Sequence, residues 1–228
     1  MRSNLRTKLV AAVSIGVVAF GITACGDASD SGASSSSDSS ASTSPPKPVA
    51  SIDDVTGQST AIALDAGFTD ALTALKLTPG VTGGAELTPE GSLVFPITGG
   101  NVTVFTPGEV SPYVIGQIQH EGSGLSLSAG GTKVELTNLN VDPGVSRVYG
   151  DVSVNGKLAA PSAYVFKLDG RTLKPLQSGD GTATLEGTKV EISPVAAPLL
   201  NKTFKTDAVK PGLLVGIAKI EVSTTPGD

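Results

Sequence analysis

Apolar and polar residues alternate in short runs through most of the chain beyond residue 92. A period of two places successive side chains on opposite faces and so predicts β-strands with one buried face. Turn-forming pairs such as Asn155-Gly156 and Asp180-Gly181 separate many of the runs. The predicted strands cover residues 93–95, 102–105, 113–120, 125–127, 133–141, 147–154, 164–168, 183–185, 189–192 and 213–222. Strands so short and closely spaced predict an all-β fold, an antiparallel β-sandwich or barrel.

The alternation changes parity within the predicted strand 133–141. Val134 and Leu136 share one face, whereas Leu139 and Val141 fall on the opposite parity. One extra residue moves every later side chain to the other face of a sheet. The slip therefore predicts either a bulge at Asn138 or a strand that bends between two sheets.

Two segments carry a helical pattern instead, so that one or two short helices are expected beside the strands. The first has apolar residues at i, i+4 and i+7 across 68–75, with Asp65 or Thr69 as its N-cap. The second begins near Ser193, a suitable N-cap. Because proline breaks a helix interior, we expect the second helix to restart at Pro198.

The N-terminus shows basic residues, then an apolar run over 9–22, then small residues before a cysteine. This order is typical of an export signal, and the run is shorter than the about 20 residues that span a bilayer. The motif Ile22-Thr23-Ala24-Cys25 resembles the lipobox of bacterial lipoproteins. The resemblance implies a signal peptide over 1–24, lipidation of Cys25, and anchoring to the cell membrane on its extracytoplasmic face. The alternatives are a buried helix with a chance cysteine, or a secretory signal cut elsewhere that leaves a free thiol.

The segment after the cysteine is rich in serine and holds no large apolar residue as far as Pro48. Such a segment buries too little surface to offset the entropy of ordering, and its composition is that of a flexible linker. We therefore expect 25–48 to be the lipidated cysteine with a disordered tether. The remaining residues, 49–228, are enough for a single β-rich extracytoplasmic domain with one core.

Composition excludes several kinds of chemistry. The net charge is −5 and no basic stripe occurs, so a nucleic-acid partner is not expected. Lipidation would use the single cysteine, and the single histidine excludes metal sites built from several histidines. No G-x-S-x-G nucleophile elbow occurs. These features predict a protein that is not an enzyme and holds no metal or cofactor, although a pair of acids for glycoside cleavage stays open among the 21 Asp and Glu residues.

His120 is the candidate functional residue that stands out, and Tyr113 at the start of the same predicted strand is the second possible ligand-binding residue. Counting by twos, His120 shares the apolar face with Val114, Gly116 and Ile118. Three roles are open for it: a half-buried side chain satisfied by a backbone carbonyl, a contact to a ligand or cofactor, or a pH-sensitive or catalytic group.

A resemblance to a known family lies in the same region. Residues 116–125, GQIQHEGSGL, followed by 134–138 and 150–152, resemble the middle of HtaA-type domains, which are actinobacterial cell-surface haem-binding modules with an all-β fold. The resemblance implies a haem held by a tyrosine early in the domain, with a nearby histidine that supports it, and only His120 carries over. Residues 49–112 contain no tyrosine, and Tyr113, Tyr149 and Tyr164 match no ligand position.

Together these patterns predict a cell-envelope lipoprotein that displays a non-enzymatic binding or interaction domain on a tether. Its expected partners are the membrane, through the lipid on Cys25, and a cell-wall or envelope component. Two alternatives remain at this stage: HtaA-like binding of haem or another small ligand, and a carboxylate-based cell-wall hydrolase.

Overall fold

A computed structural model describes residues 45–55 and 57–224 of the chain. The predicted signal peptide, Cys25 and most of the tether lie outside the described residues, so these assignments stay predictions. Within the described part, no helix is both long enough and apolar enough to cross a membrane.

The described residues form thirteen strands and two α-helices, which confirms the all-β prediction. The strands are β1 Ala50–Ile52, β2 Ser59–Leu64, β3 Thr78–Gly83, β4 Glu86–Leu87, β5 Ser92–Pro96, β6 Gly99–Val104, β7 Val114–Ala129, β8 Thr132–Asp142, β9 Arg147–Val154, β10 Lys157–Asp169, β11 Gln177–Gly179, β12 Thr182–Ile192 and β13 Leu214–Ser223. The helices are α1 Ala66–Ala74 and α2 Ala196–Phe204, and a short 3-10 turn covers Gly170–Thr172.

The strands form one antiparallel sheet that curls on itself. The order is β1-β6-β7-β8-β9-β10-β12-β13-β2-β5-β4, with β11 paired to β12 and β3 paired to β7. Strand β7 lies near one end of this order, and β2 and β5 lie near the other. Side-chain hydrogen bonds from His120 in β7 nevertheless reach Thr60 in β2 and Pro96 in β5. The sheet therefore curls until its two ends meet around an enclosed interior.

The bulge predicted from the parity slip is confirmed. Asn138 has a positive φ of 52°, and the register between β8 and β9 shifts between Thr137 and Asn140. The opposing strand β7 shifts register at the same level, where Gly122 has a φ of 67° and its N–H donates to Asn138 Oδ1 at 3.0 Å. Glycine suits this backbone conformation because it has no Cβ. The two predicted strands 113–120 and 125–127 are for this reason one long bulged strand.

Both predicted helices exist, and Asp65 is the N-cap of the first. Its Oδ1 accepts a hydrogen bond from Gly67 N–H at 2.8 Å. The expected restart of the second helix at Pro198 is wrong, because α2 begins at Ala196 and contains the proline in its first turn. The N–H groups of a first turn have no intrahelical acceptor, so proline removes no helical hydrogen bond there. Ser193 Oγ accepts from Ala196 N–H at 2.9 Å and secures the start.

The interior divides into a packed part and a hollow part. Both helices pack near a small cavity of about 50 Å³, which Phe68 of α1 and Leu200 of α2 help to line. A second cavity of about 490 Å³ lies inside the curled sheet, and no residue of either helix lines it. The helices therefore fill the core on one side and leave the other side open for a site.

Candidate functional site

The candidate site is the large cavity inside the curled sheet. Its walls are the inward-facing aliphatic and aromatic side chains of several strands, among them Ile118 of β7, Val141 of β8, Phe166 of β10 and Ile220 of β13. The polar or charged side chains among its lining residues are those of Thr60, Ser111, Tyr113, His120, Ser146, Asp169, Arg171 and Thr188. A mostly apolar cavity with a few polar groups is the usual form of a small-molecule site.

The mouth of the cavity lies at one end of the sheet. Three parts of the chain meet there: the start of β7, the turn between β8 and β9, and the end of β10. They meet because, in an antiparallel sheet, each strand starts beside the end of its neighbour. Exposed residues in or next to these three places, including Ser111, Ser146 and Arg171, line the cavity together with buried ones. The strand connections at this end therefore form the rim.

His120 lies in the inner wall and is 1% exposed. Its Nδ1 lies 2.9 Å from the carbonyl oxygen of Pro96, and its Nε2 lies 3.2 Å from Thr60 Oγ1. A carbonyl can only accept, so Nδ1 carries the proton and donates it. Nε2 is then the acceptor in the neutral ring, and the Thr60 hydroxyl donates to it. Both ring nitrogens are thus engaged.

Burial lowers the pKa of His120, because removing the imidazolium from water disfavours its charged form, and the hydrogen bond to Pro96 opposes this only in part. The neutral ring also packs near Phe95, with the two ring centroids 6.0 Å apart. His120 is therefore a neutral group that joins β7 to β2 and β5 where the ends of the sheet meet.

Tyr113 directly precedes β7 and lies half-buried at the rim of the same cavity. Its backbone carbonyl accepts a hydrogen bond from Phe105 N–H at 2.7 Å, which holds the connection between β6 and β7 in place. The structure brings Tyr113 and His120 to one cavity, and no contact joins them among the described interactions. The two candidates from the sequence thus belong to the rim and the inner wall respectively.

The structure adds two charged residues that sequence reasoning missed. Arg171 donates to both carboxylate oxygens of Asp169, from Nε at 2.9 and 3.1 Å and from Nη2 at 2.6 Å. These hydrogen bonds hold the pKa of Asp169 far below its usual range. Asp169 is 7% exposed and the Arg171 side chain is 85% exposed, so the pair places a fixed guanidinium at the rim. In the sequence, Asp169-Gly170 is a turn signal and gives no indication of a site.

The cavity does not fit the haem site that the sequence resemblance implies. That site needs a tyrosine with a supporting histidine, whereas the hydroxyl that meets His120 is the aliphatic one of Thr60. A tyrosine or histidine is a common haem ligand, but the Nε2 lone pair of His120 is already taken. Asp169 is the one acid among the lining residues of this cavity, whereas glycoside cleavage uses a pair.

No family model matches the chain, and no curated protein matches it. Among solved structures, it is similar to the C-terminal domain of HtaA from Corynebacterium glutamicum, with a TM-score of 0.48 and 11% identity over 75% of this chain and 99% of that one. It is also similar to HtaB, a haem-binding protein from the same organism, with a TM-score of 0.36 and 11% identity over 76% of this chain and 96% of that one. The predicted likeness to HtaA-type domains is thereby confirmed as a distant one.

Proposed function

We propose that residues 49–228 form a non-enzymatic binding domain that holds a small apolar ligand inside the curled sheet. The observation that carries the proposal is the cavity of about 490 Å³ with mainly apolar walls. Ligand sites typically enclose about 300–1,000 Å³, so the space suits a whole small molecule. Binding gains free energy because apolar ligand surface leaves water, at about 25 cal/mol for each Å².

The chemistry of the walls favours holding a ligand over converting it. His120 is neutral and both of its ring nitrogens are engaged, so it has no free position for proton transfer. Asp169 is bound by Arg171 and stays ionised. Neither group is therefore available as a general acid or base in the described arrangement.

We also propose that the domain is displayed at the cell envelope by a lipid on Cys25. The lipobox-like motif and the serine-rich tether support this placement, and the partner on the envelope side would be a cell-wall or membrane component. Two or more acyl chains give stable anchoring, whereas one chain gives only marginal binding. Substitution Cys25→Ser should release the protein or leave an uncleaved precursor. A processed, membrane-bound Cys25→Ser protein would contradict the placement.

An uncharged fluorescent probe, N-phenyl-1-naphthylamine, tests whether the cavity binds apolar molecules. We compare two identical changes on strand β7: Ile118→Phe, where the side chain is 2% exposed and lines the cavity, and Ile115→Phe, where it points outward and is 39% exposed. We expect the probe to bind the unmodified protein and Ile115→Phe equally, and Ile118→Phe at least 10-fold more weakly. Melting curves check that both variants fold. Absence of probe binding, or equal binding by both variants, would overturn the proposal.

Haem is the second candidate ligand, because residues 116–125 resemble HtaA-type haem-binding domains and Tyr113 and His120 border one cavity. The donor set at Thr60 and His120 does not fit tyrosine ligation, so we expect haemin titration to give no Soret band of a ligated haem. If haemin gives a Soret band that weakens in His120→Ala, the ligand of the cavity is haem and the proposal of an apolar ligand is wrong.

A further inference from the structure

We propose that the ligand is an amphiphile with a single alkyl chain. Its tail fills the cavity, and its anionic headgroup, a carboxylate or a phosphate, binds at the rim beside Arg171. The inference rests on the proposed binding function and specifies its ligand class. It follows from four polar residues at the mouth of a mainly apolar space, Arg171, Ser111, Tyr113 and Ser146.

Arg171 is built to present a charge at this position. Its Nε and Nη2 hold Asp169, whereas Nη1 has no hydrogen-bond partner among the described residues. The carboxylate beneath fixes the guanidinium plane, and the side chain stays 85% exposed at the rim. A planar guanidinium with free N–H donors suits a carboxylate or a phosphate.

Three hydroxyl groups join the guanidinium at the rim. Ser111, Tyr113 and Ser146 line the cavity, and their side chains make no hydrogen bond within the described residues. Serine and tyrosine hydroxyls can each donate one proton. A head rich in oxygen acceptors would therefore find several donors where the apolar walls end.

The nearby acids do not cancel this preference. Asp169 is fully engaged by Arg171, and Glu191, which also acts on Arg171, is bound to Lys167 at 3.0 Å. Lys189 adds a further positive charge near Asp169. An anionic head therefore meets a free N–H of Arg171, whereas a cationic head would meet the positive charge of this guanidinium.

The volume sets the length of the tail. A methylene group occupies roughly the volume of a water molecule, about 30 Å³, so the cavity of about 490 Å³ has room for about 16 carbons. A chain of ten carbons should therefore enter without strain. Removal of two methylenes from it should weaken binding about 15-fold, because each contributes a nearly constant increment of apolar burial.

The test measures displacement of the naphthylamine probe by four ten-carbon compounds below their micelle concentrations: decanoate, decyl phosphate, decanol and decyltrimethylammonium. The protein carries Cys25→Ser, so that it brings no acyl chain of its own. We expect decanoate, decyl phosphate or both to bind about 5- to 10-fold more tightly than decanol, and the ammonium compound to bind most weakly. The stronger of the two anions identifies the head as carboxylate or phosphate. Octanoate in place of decanoate measures the contribution of the tail.

Arg171→Gln provides the decisive variant, and Arg147→Gln is its matched control, because Arg147 is also exposed and does not line the cavity. We expect Arg171→Gln to remove the advantage of the anion over decanol and to leave decanol unchanged. Arg171→Gln alone leaves Asp169 buried without its partner, and this variant could fail to fold. The double variant Asp169→Asn with Arg171→Gln avoids the unpaired acid, and we expect it to lose the advantage of the anion in the same way.

Two failures are distinguishable. Equal displacement by decanol and both anions, or an anion advantage that survives both Arg171 variants, would overturn the amphiphile inference and leave apolar binding intact. If neither the probe nor any of the compounds binds a folded protein, the proposed binding function itself is wrong.

Discussion

Replacement of His120 by alanine should open the junction at which the two ends of the sheet meet. The change removes the bond from Nδ1 to Pro96 O, 2.9 Å long, and the bond from the Thr60 hydroxyl to Nε2, 3.2 Å long. The hydrogen bond to Thr60 is buried and the one to Pro96 is partly buried; each contributes about 1 kcal/mol, and a partner left without a hydrogen bond adds a desolvation cost. With the lost packing against Phe95, we expect the free energy of unfolding to fall by about 3 kcal/mol.

A double-mutant cycle separates the hydrogen bond from the packing. Thr60→Val keeps the shape of the side chain and removes its hydroxyl, so it should cost about 1 kcal/mol in the native background and nearly nothing in His120→Ala. The coupling between the two positions should therefore be about 1 kcal/mol. Urea denaturation followed by far-ultraviolet circular dichroism measures all four proteins.

Gln119→Ala serves as the control, because Gln119 neighbours the histidine on β7 but points to the opposite face. Its free energy of unfolding should stay within about 0.5 kcal/mol of the unmodified protein. A loss below about 1 kcal/mol for His120→Ala, or a coupling of zero, would show that this histidine does not hold the ends of the sheet together.

Two further predictions concern pH and backbone spacing. Burial lowers the pKa of His120 below 6.5, so the unfolded chain binds the proton first as the pH falls. The free energy of unfolding should therefore be level above about pH 6.5 and should fall from there toward pH 5. Urea midpoints measure this slope, and a slope that persists in His120→Gln would belong to other groups. Gly124→Ala would place a Cβ against the carbonyl of Leu136 in the neighbouring strand and should lower the free energy of unfolding by about 2–3 kcal/mol. In the control Gly179→Ala the added Cβ meets no atom within 4 Å, so the stability should change little. Equal melting temperatures of the two variants would refute the close approach at Gly124.

The strands with a clear alternation could be predicted from the sequence, and so could the bulge. One face of β8 is buried and the other is more exposed, so a shift in register changes which sequence positions are apolar. Leu139 and Val141 show this change and point to Asn138 as the irregular residue. Strand β2 could not be predicted in this way. It consists mainly of small and hydroxyl residues, and its strand form depends on pairing with β13 and β5.

Only part of the candidate site could be predicted, because the rest depends on contacts between segments that are far apart in the sequence. His120 could be assigned to the inner face, since periodicity within β7 is local information. Its partner Thr60 is 60 residues away, and nothing in either segment indicates the other. The same holds for Arg171, whose place at the rim depends on how far the sheet curls before β10 ends.

Under the proposed binding function, the hollow side of the sheet makes ligand supply a determinant of how long the protein survives. A ligand that binds only the folded chain stabilises it by about 2.7 kcal/mol at a concentration 100-fold above its Kd. The unfolded population, on which proteases act, then falls about 100-fold. A domain that holds its ligand in about 490 Å³ of its own interior would therefore couple its abundance to the presence of that ligand.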